Sequence, residues 1–210
     1  MKRFIITSTL ISLLLVGTTA LAQKVGVKGG LNFTNFTNFD ERFDDSNMRT
    51  GFHLGGFLTM PITDQIALRP ELYYIQKGST FAADIMGSNA ELTNKVDYLE
   101  LPVLLDVEVI KPLHFQIGPY FSYLLNAGYD FSWMGTSTEG DIDKSDLNAL
   151  EVGAAVGVSF HLGNLEIGAR YGMGLTKLGM DQKIGNFTIE ASDTKNQSIV
   201  LSVGFRLSEL

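Results

Sequence analysis

Eight stretches of this chain alternate apolar with polar side chains at a period of two, and the connections between them are short and long in turn. A strand turns successive side chains to opposite faces, so each stretch builds a ribbon with one oily and one polar face. Near the C-terminus Ile199, Leu201, Val203, Phe205 and Leu207 share one face, while Ser198, Ser202, Gly204 and Arg206 share the other. Such strands, joined by alternately tight and long connections, read as a transmembrane β-barrel.

The strands are expected at 24–33, 51–60, 66–77, 95–107, 113–125, 147–162, 165–175 and 197–207. Tight turns at Pro61-Ile62-Thr63-Asp64, Ile110-Lys111-Pro112 and Gly163-Asn164 join the second strand to the third, the fourth to the fifth and the sixth to the seventh. Long connections are expected around 34–50, 78–94, 126–146 and 176–196. In outer-membrane barrels short turns face the periplasm and long loops face outside. The expected fold is therefore all-β, an eight-stranded antiparallel up-and-down barrel with both termini in the periplasm.

The N-terminus gives the route. Lys2 and Arg3 form a basic start, Phe4 to Val16 an apolar run, and Ala20-Leu21-Ala22 a small-residue cleavage site. That run falls short of the ~20 residues a spanning helix needs. Residues 1–22 are expected to be a cleavable export signal and 23–210 a single outer-membrane barrel domain. The chain has no cysteine, which excludes a disulfide scaffold in an exported protein. Losing Lys2 and Arg3 leaves 14 basic against 23 acidic residues, a net charge of −9, so nucleic acid is not an expected partner.

Alternation alone does not say which face points outward, and a soluble lipocalin-like barrel with an apolar interior is the rival. Side-chain size on the polar face separates the two. Lys28, Arg69, Glu71, Glu100, Glu151, Glu166, Arg170 and Arg206 are interleaved there with Gly26, Gly30, Gly55, Gly118, Gly168, Gly172 and Gly204. A narrow lumen needs that mixture of long and absent side chains. The other face carries Leu54, Leu72, Leu101, Val103, Ile117, Val156, Ile167 and Leu201 with no charge, which suits lipid. Arg69, Glu71, Glu100, Glu151, Arg170 and Arg206 are expected to pair as a charge cluster inside the lumen, because an isolated charge away from water is costly.

Phe33, Phe52, Tyr74, Tyr123 and Tyr171 fall toward the loop ends, and Phe160 and Phe205 toward the turn ends, as interfacial girdles do. Pro70, Pro102 and Pro119 fall inside strands, although a closed barrel has no edge to receive a missing N–H. Bulges are expected there.

Four segments carry a family resemblance: Lys24-Val-Gly-Val-Lys-Gly-Gly-Leu-Asn-Phe33, Arg69-Pro-Glu-Leu-Tyr-Tyr-Ile-Gln-Lys-Gly78, Tyr98-Leu-Glu-Leu-Pro-Val-Leu-Leu105 and Gly118-Pro-Tyr-Phe-Ser-Tyr-Leu-Leu125. They resemble PorT-like outer-membrane β-barrel proteins of Gram-negative bacteria over essentially the whole mature chain. The resemblance implies an eight-stranded outer-membrane barrel, in a broad family mostly without assigned activity. One departure is the C-terminus. It ends Val203-Gly-Phe-Arg-Leu-Ser-Glu-Leu210 rather than on the aromatic residue that many such barrels carry, so Phe205 or Leu207 must serve in assembly.

Signals for catalysis are sparse. A nucleophile needs a base within hydrogen-bond reach, and the nearest pattern, Gly157-Val-Ser159-Phe-His161, lacks the second glycine of a nucleophile elbow. Ser159 and His161 share a strand face, but no orienting acid is visible. The loop Glu139-Gly-Asp-Ile-Asp-Lys-Ser-Asp146 offers Asp141, Asp143 and Ser145 at calcium-loop spacing, with Asp146 beside them. It lacks the glycine at the sixth position and the glutamate at the twelfth, so it reads as a solvated acidic loop. The short repeat Asn32-Phe-Thr-Asn-Phe-Thr-Asn-Phe39 reads as a strand end passing through an aromatic belt.

The expected protein is thus a monomeric, non-enzymatic outer-membrane barrel without a cofactor, its lumen plugged by side chains. The four long connections together carry a net charge of −8, so divalent cations or basic partners, in a lipopolysaccharide setting, suit its loops. A narrow pore or small-solute transporter is the first alternative, and a membrane-embedded hydrolase the second.

Overall fold

The computed structural model describes residues 23–37, 46–85, 88–144, 147–179, 182–184, 187–189 and 194–209. The expected export signal, Asn38 and Phe39 of the repeat, and Ser145 and Asp146 of the acidic loop lie outside the described residues. In chain order the strands are β1 (Lys24–Thr37), β2 (Ser46–Pro61), β3 (Ile66–Ile85), β4 (Ser88–Ile110), β5 (Leu113–Trp133), β6 (Thr136–Asp141), β7 (Leu150–Leu162), β8 (Leu165–Gly174), β9 (Gln182–Ile184), β10 (Phe187–Ile189) and β11 (Lys195–Glu209).

Eight of them form the ring. The pairing runs β4-β3-β2-β1-β11-β8-β7-β5, and β4 also pairs with β5, so no edge is left open. Closure is what lets a sheet enter lipid, where an unpaired backbone group has no water to bond. The three tight turns, the start of β1 and the end of β11 lie at one end, with Lys24 opposite Glu209 and Ile110 opposite Leu113.

On the loop side six of the eight ring strands, β1 to β5 and β11, run beyond their sequence-predicted ends. β3, β4 and β5 have 20, 23 and 21 residues, about twice the 9–11 residues that cross a bilayer. The connection expected at 78–94 is thus mostly the paired upper part of β3 and β4, with Gly78 opposite Lys95 and Ile85 opposite Ser88. The connection at 126–146 holds the hairpin of β5 and β6, turned at Met134 and Gly135, both of which have positive φ. β9 and β10 form a separate hairpin in the last connection. The sixth expected strand moves the other way: β7 starts at Leu150 rather than at 147, and Leu147 makes an isolated bridge to Gly179.

Bulges at the prolines do not occur. Register shifts fall instead between Val25 and Gly26, Met48 and His53, Asp97 and Tyr98, and Glu108 and Ile110. Around each proline the register continues unchanged while the pairing lapses. The β2–β3 ladder skips from Phe57↔Glu71 to Met60↔Leu68, opposite Pro70. The β3–β4 ladder skips from Pro70↔Val103 to Tyr73↔Glu100, opposite Pro102. The β4–β5 ladder skips from Pro102↔Tyr120 to Leu105↔Ile117, opposite Pro119. Each proline turns its missing N–H into one of these gaps, so the ring gives up a few ladder bonds and keeps its inside and outside faces.

The outer face is apolar around the whole ring, with Leu54, Leu101, Ile117, Val156, Ile167 and Leu201 exposed. Phe52, Tyr123 and Tyr171 stand exposed toward the loop side and Phe115, Phe160 and Phe205 toward the turn side. The inside alternates glycine with large rings. A Cβ on Gly153 would sit 2.2 Å from the Tyr120 ring, and one on Gly26 would sit 2.3 Å from Phe57. Replacing Gly153 by valine is expected to force the Tyr120 ring aside at a cost of about 1–3 kcal/mol. The check is the urea midpoint of the folded, heat-modifiable electrophoretic band.

Candidate functional site

The inward residues of the ring form three layers, each set by strand parity. The middle layer is ionic. Glu71 of β3 accepts from Lys28 Nζ at 3.0 Å, from Arg69 Nε at 2.9 Å and from Arg170 Nη1 at 2.7 Å, so three strands converge on one carboxylate. Arg69 also meets Glu166 at 2.8 Å, and Arg170 donates to Gln116 Oε1 at 2.9 Å. The guanidinium of Arg69 lies 4.0 Å from the Phe57 ring centroid, a cation–π contact that covers its apolar side. Toward the loops, Lys77 Nζ pairs with Glu100 at 2.7 Å and Glu151 at 2.8 Å. Tyr73 donates to Glu100 at 2.9 Å, Ser122 donates to its other oxygen at 2.8 Å, and Tyr120 donates to Glu151 at 2.7 Å.

Of the six residues expected to cluster, Arg69, Glu71, Glu100, Glu151 and Arg170 are buried in this network. Arg206 is half-buried instead and lines a cleft at the turn-side mouth. Lys77 and Asp106 belong to the same buried set. Sequence reading missed Lys77, which stood at the expected end of its strand, although it continues the parity of Arg69, Glu71 and Tyr73.

Above the ions the lumen turns apolar, contrary to a uniformly polar interior. Phe36, Ile75, Phe81, Val96, Tyr98, Leu124 and Val200 pack as one buried cluster, and Ile142, Leu147 and Leu178 pack against it from the outer connections. The shift between Asp97 and Tyr98 helps to build it: Tyr98 faces Leu124 but Asp97 faces Asn126, so beyond the extra residue Ala127 points inward. The connection read as acidic therefore also supplies a stopper.

At the turn-side end the inward layer contains Asp106, His114, Gln116, Ser159 and His161. His114 Nδ1 is 2.6 Å from Asp106 Oδ1, and Ser159 Oγ is 3.1 Å from His161 Nε2. Glu166 Oε2 also lies near that same Nε2, at 3.3 Å. The acid missing from the sequence reading is thus present, but it and the hydroxyl address one nitrogen, whereas a triad needs them on opposite nitrogens. Ser159 is also buried.

Of the weak metal candidates of the acidic loop, Asp146 lies outside the described residues. Asp141 ends β6 and Asp143 lies two residues beyond it, both exposed. Among the described residues, the group of His, Asp and Glu whose donor atoms approach within 4.8 Å is Asp106, His114 and His161.

A closed eight-stranded ring with an apolar outer belt and a charged interior defines an integral outer-membrane β-barrel. The chain belongs to the outer membrane protein beta-barrel domain family, whose sequence profile matches residues 21–179. No curated protein matches it significantly. Among solved structures it is similar to Ail, the attachment invasion locus protein of Yersinia pestis, at 13% identity and TM-score 0.48, over 89% of this chain and 100% of Ail. It is also similar to Neisserial surface protein A, at 14% identity and TM-score 0.44, over 87% and 97% of the two chains. A third similar structure is the outer-membrane protease OmpT of Escherichia coli, at 7% identity and TM-score 0.39, over 91% and 99%.

Proposed function

We propose that this outer-membrane barrel is a non-enzymatic, sealed scaffold whose outward connections carry its binding role. The reading rests on one observation: the lumen is filled in series by the ion-pair network around Glu71 and Lys77 and by the apolar cluster around Ile75 and Tyr98. Eight strands enclose an interior just wide enough for side chains, and here those side chains are paired to one another rather than lining a channel. The burial of Ser159, and the shared nitrogen of His161, weigh against a hydrolase. The narrower kinship with PorT-like barrels rests on the motif resemblance alone.

The exposed Asp141 and Asp143, within connections of net negative charge, favour cationic over anionic partners, with a reach of ~10 Å at 0.1 M salt. The experiment is single-channel recording of the purified protein in planar bilayers. No steady conductance above the lipid background is expected. Reproducible ohmic steps from the unmutated protein would overturn the sealed scaffold in favour of a narrow pore.

A further inference from the structure

The lowest inward layer, at the periplasmic mouth, differs chemically from the ion pairs above it. Asp106 of β4, His114 of β5 and His161 of β7 come from three successive strands, because β5 pairs with both neighbours there. One donor atom from each lies within 4.8 Å of the others. The two imidazoles are stacked, with ring centroids 3.6 Å apart and planes tilted by 23°. Contacts to Asp106 for His114 and to Ser159 and Glu166 for His161 hold each ring separately; none of them requires the two rings to stack on one another.

We propose that Asp106, His114 and His161 form a binding site for a borderline transition-metal ion, zinc in the first instance, at the periplasmic mouth of the barrel. Ligands at about 2.0–2.2 Å from a tetrahedral ion stand roughly 3.4 Å apart, so the 2.6 Å contact between Asp106 and His114 must open and the wider separations, all within 4.8 Å, must close. The needed movement is a small rotation of two rings that each keep more than a tenth of their side-chain surface exposed, at 15% and 12%. Two nitrogens and one carboxylate suit zinc, nickel, cobalt or copper, whereas calcium and magnesium take oxygen shells.

The surroundings hold the ligands in place. Gln116 Nε2 donates to Asp106 Oδ2 at 2.8 Å, and Arg69 Nη1 is 3.5 Å from the same oxygen. Both therefore leave Oδ1 turned toward the histidines. Glu108 lies 3.8 Å from His114 Nε2 and Glu166 3.3 Å from His161 Nε2. Those are outer carboxylates of the kind that orient metal-bound imidazoles. The site faces a cleft of about 340 Å³ that opens at the mouth, which gives the ion an entry path and room for water as a further ligand. Lys24, Lys111 and Arg206 line the same cleft beside Asp64, Asp106 and Glu108, so with no strong negative field there the ion is held by coordination. Among the described residues five buried carboxylates (Glu71, Glu100, Asp106, Glu151, Glu166) face four buried cations (Lys28, Arg69, Lys77, Arg170), and a cation beside Asp106 offsets the excess.

The test uses untagged, folded, chelator-treated protein in detergent, titrated with zinc by calorimetry and with cobalt by its visible absorption. One ion per chain is expected. His114→Ala and His161→Gln should each weaken binding at least as much as loss of an outer-shell partner does, about 10–100-fold, with the heat-modifiable band as the check on folding. A measurement on the unmutated protein stands independently of that check. Stoichiometric zinc should protect His114 and His161 from acylation by diethyl pyrocarbonate, read by mass spectrometry at each residue. The proposal is overturned by absence of stoichiometric zinc binding, by equal displacement with calcium, by unchanged affinity in folded variants, or by acylation rates that zinc leaves unaltered.

Discussion

Replacing Glu71 with glutamine is expected to lower the stability of the folded barrel by about 3–5 kcal/mol, the loss typical when one partner of a buried ionic cluster is removed. The size follows from the position. Glu71 is 1% exposed and takes Lys28, Arg69 and Arg170 at 2.7 to 3.0 Å. The amide keeps the volume but removes the charge, and the cations lose it unequally. Arg69 retains Glu166 at 2.8 Å, while Arg170 keeps the neutral Gln116 at 2.9 Å. Asp64→Asn, in the exposed turn before β3, is the matched control and should change stability by less than about 0.5 kcal/mol. Urea titration of the folded electrophoretic band measures both, and a Glu71→Gln loss under about 1 kcal/mol would show that water reaches the network.

A buried ionic network is a poor source of net stability, because well-packed apolar residues of the same volume often do as well. Its value in a barrel lies in register. Side chains alternate strictly, so a slip of one residue in β3 would carry Arg69, Glu71 and Lys77 into lipid and bring Leu68, Leu72 and Tyr74 inside. That alternative pays twice, in desolvated charge and in unfilled lumen. The apolar cluster at the loop end repeats the constraint through Ile75 and Val96, whose neighbours in sequence are polar.

What was legible in the sequence follows from where lipid is. Within the bilayer the outer residues must be apolar, so the period of two is visible in Leu99, Leu101, Val103 and Leu105. Beyond it both faces meet polar surroundings. The upper part of β4, Ser88-Asn-Ala-Glu-Leu-Thr-Asn94, looks like a loop although it pairs continuously with β3. Prolines misled for a related reason: single-strand patterns do not reveal that three neighbouring ladders lapse along adjacent gaps. Of the five buried members of the expected charge cluster, Arg69, Glu71 and Glu100 could be read because they alternate with Leu68, Leu72, Leu99 and Leu101, and Glu151 and Arg170 because they share parity with Gly153 and Gly157 and with Gly168 and Gly172. The grouping of Asp106, His114 and His161 could not, since it spans three strands and depends on their relative stagger.

Arginine at Val156 is expected to cost ~2–4 kcal/mol, the penalty for a cation on the lipid face near the membrane midplane. Val156 lies midway along β7 and is 37% exposed in the absence of lipid. Its cross-strand neighbours are Ile117 on β5 and Tyr171 on β8, both also outward and exposed, so neither offers a carboxylate to pair with the guanidinium. A long side chain can reach toward the interface, which is why the cost stays well below that of an isolated charge in hydrocarbon. Thr138→Arg, exposed on β6 in the outward hairpin, places the same charge in water and should shift stability by less than about 0.5 kcal/mol. Folding titrations into lipid vesicles measure the pair. Equal costs at the two positions would mean that Val156 does not face lipid, and since β7 alternates strictly, the inward placement of Glu151 and Ser159 would be lost with it.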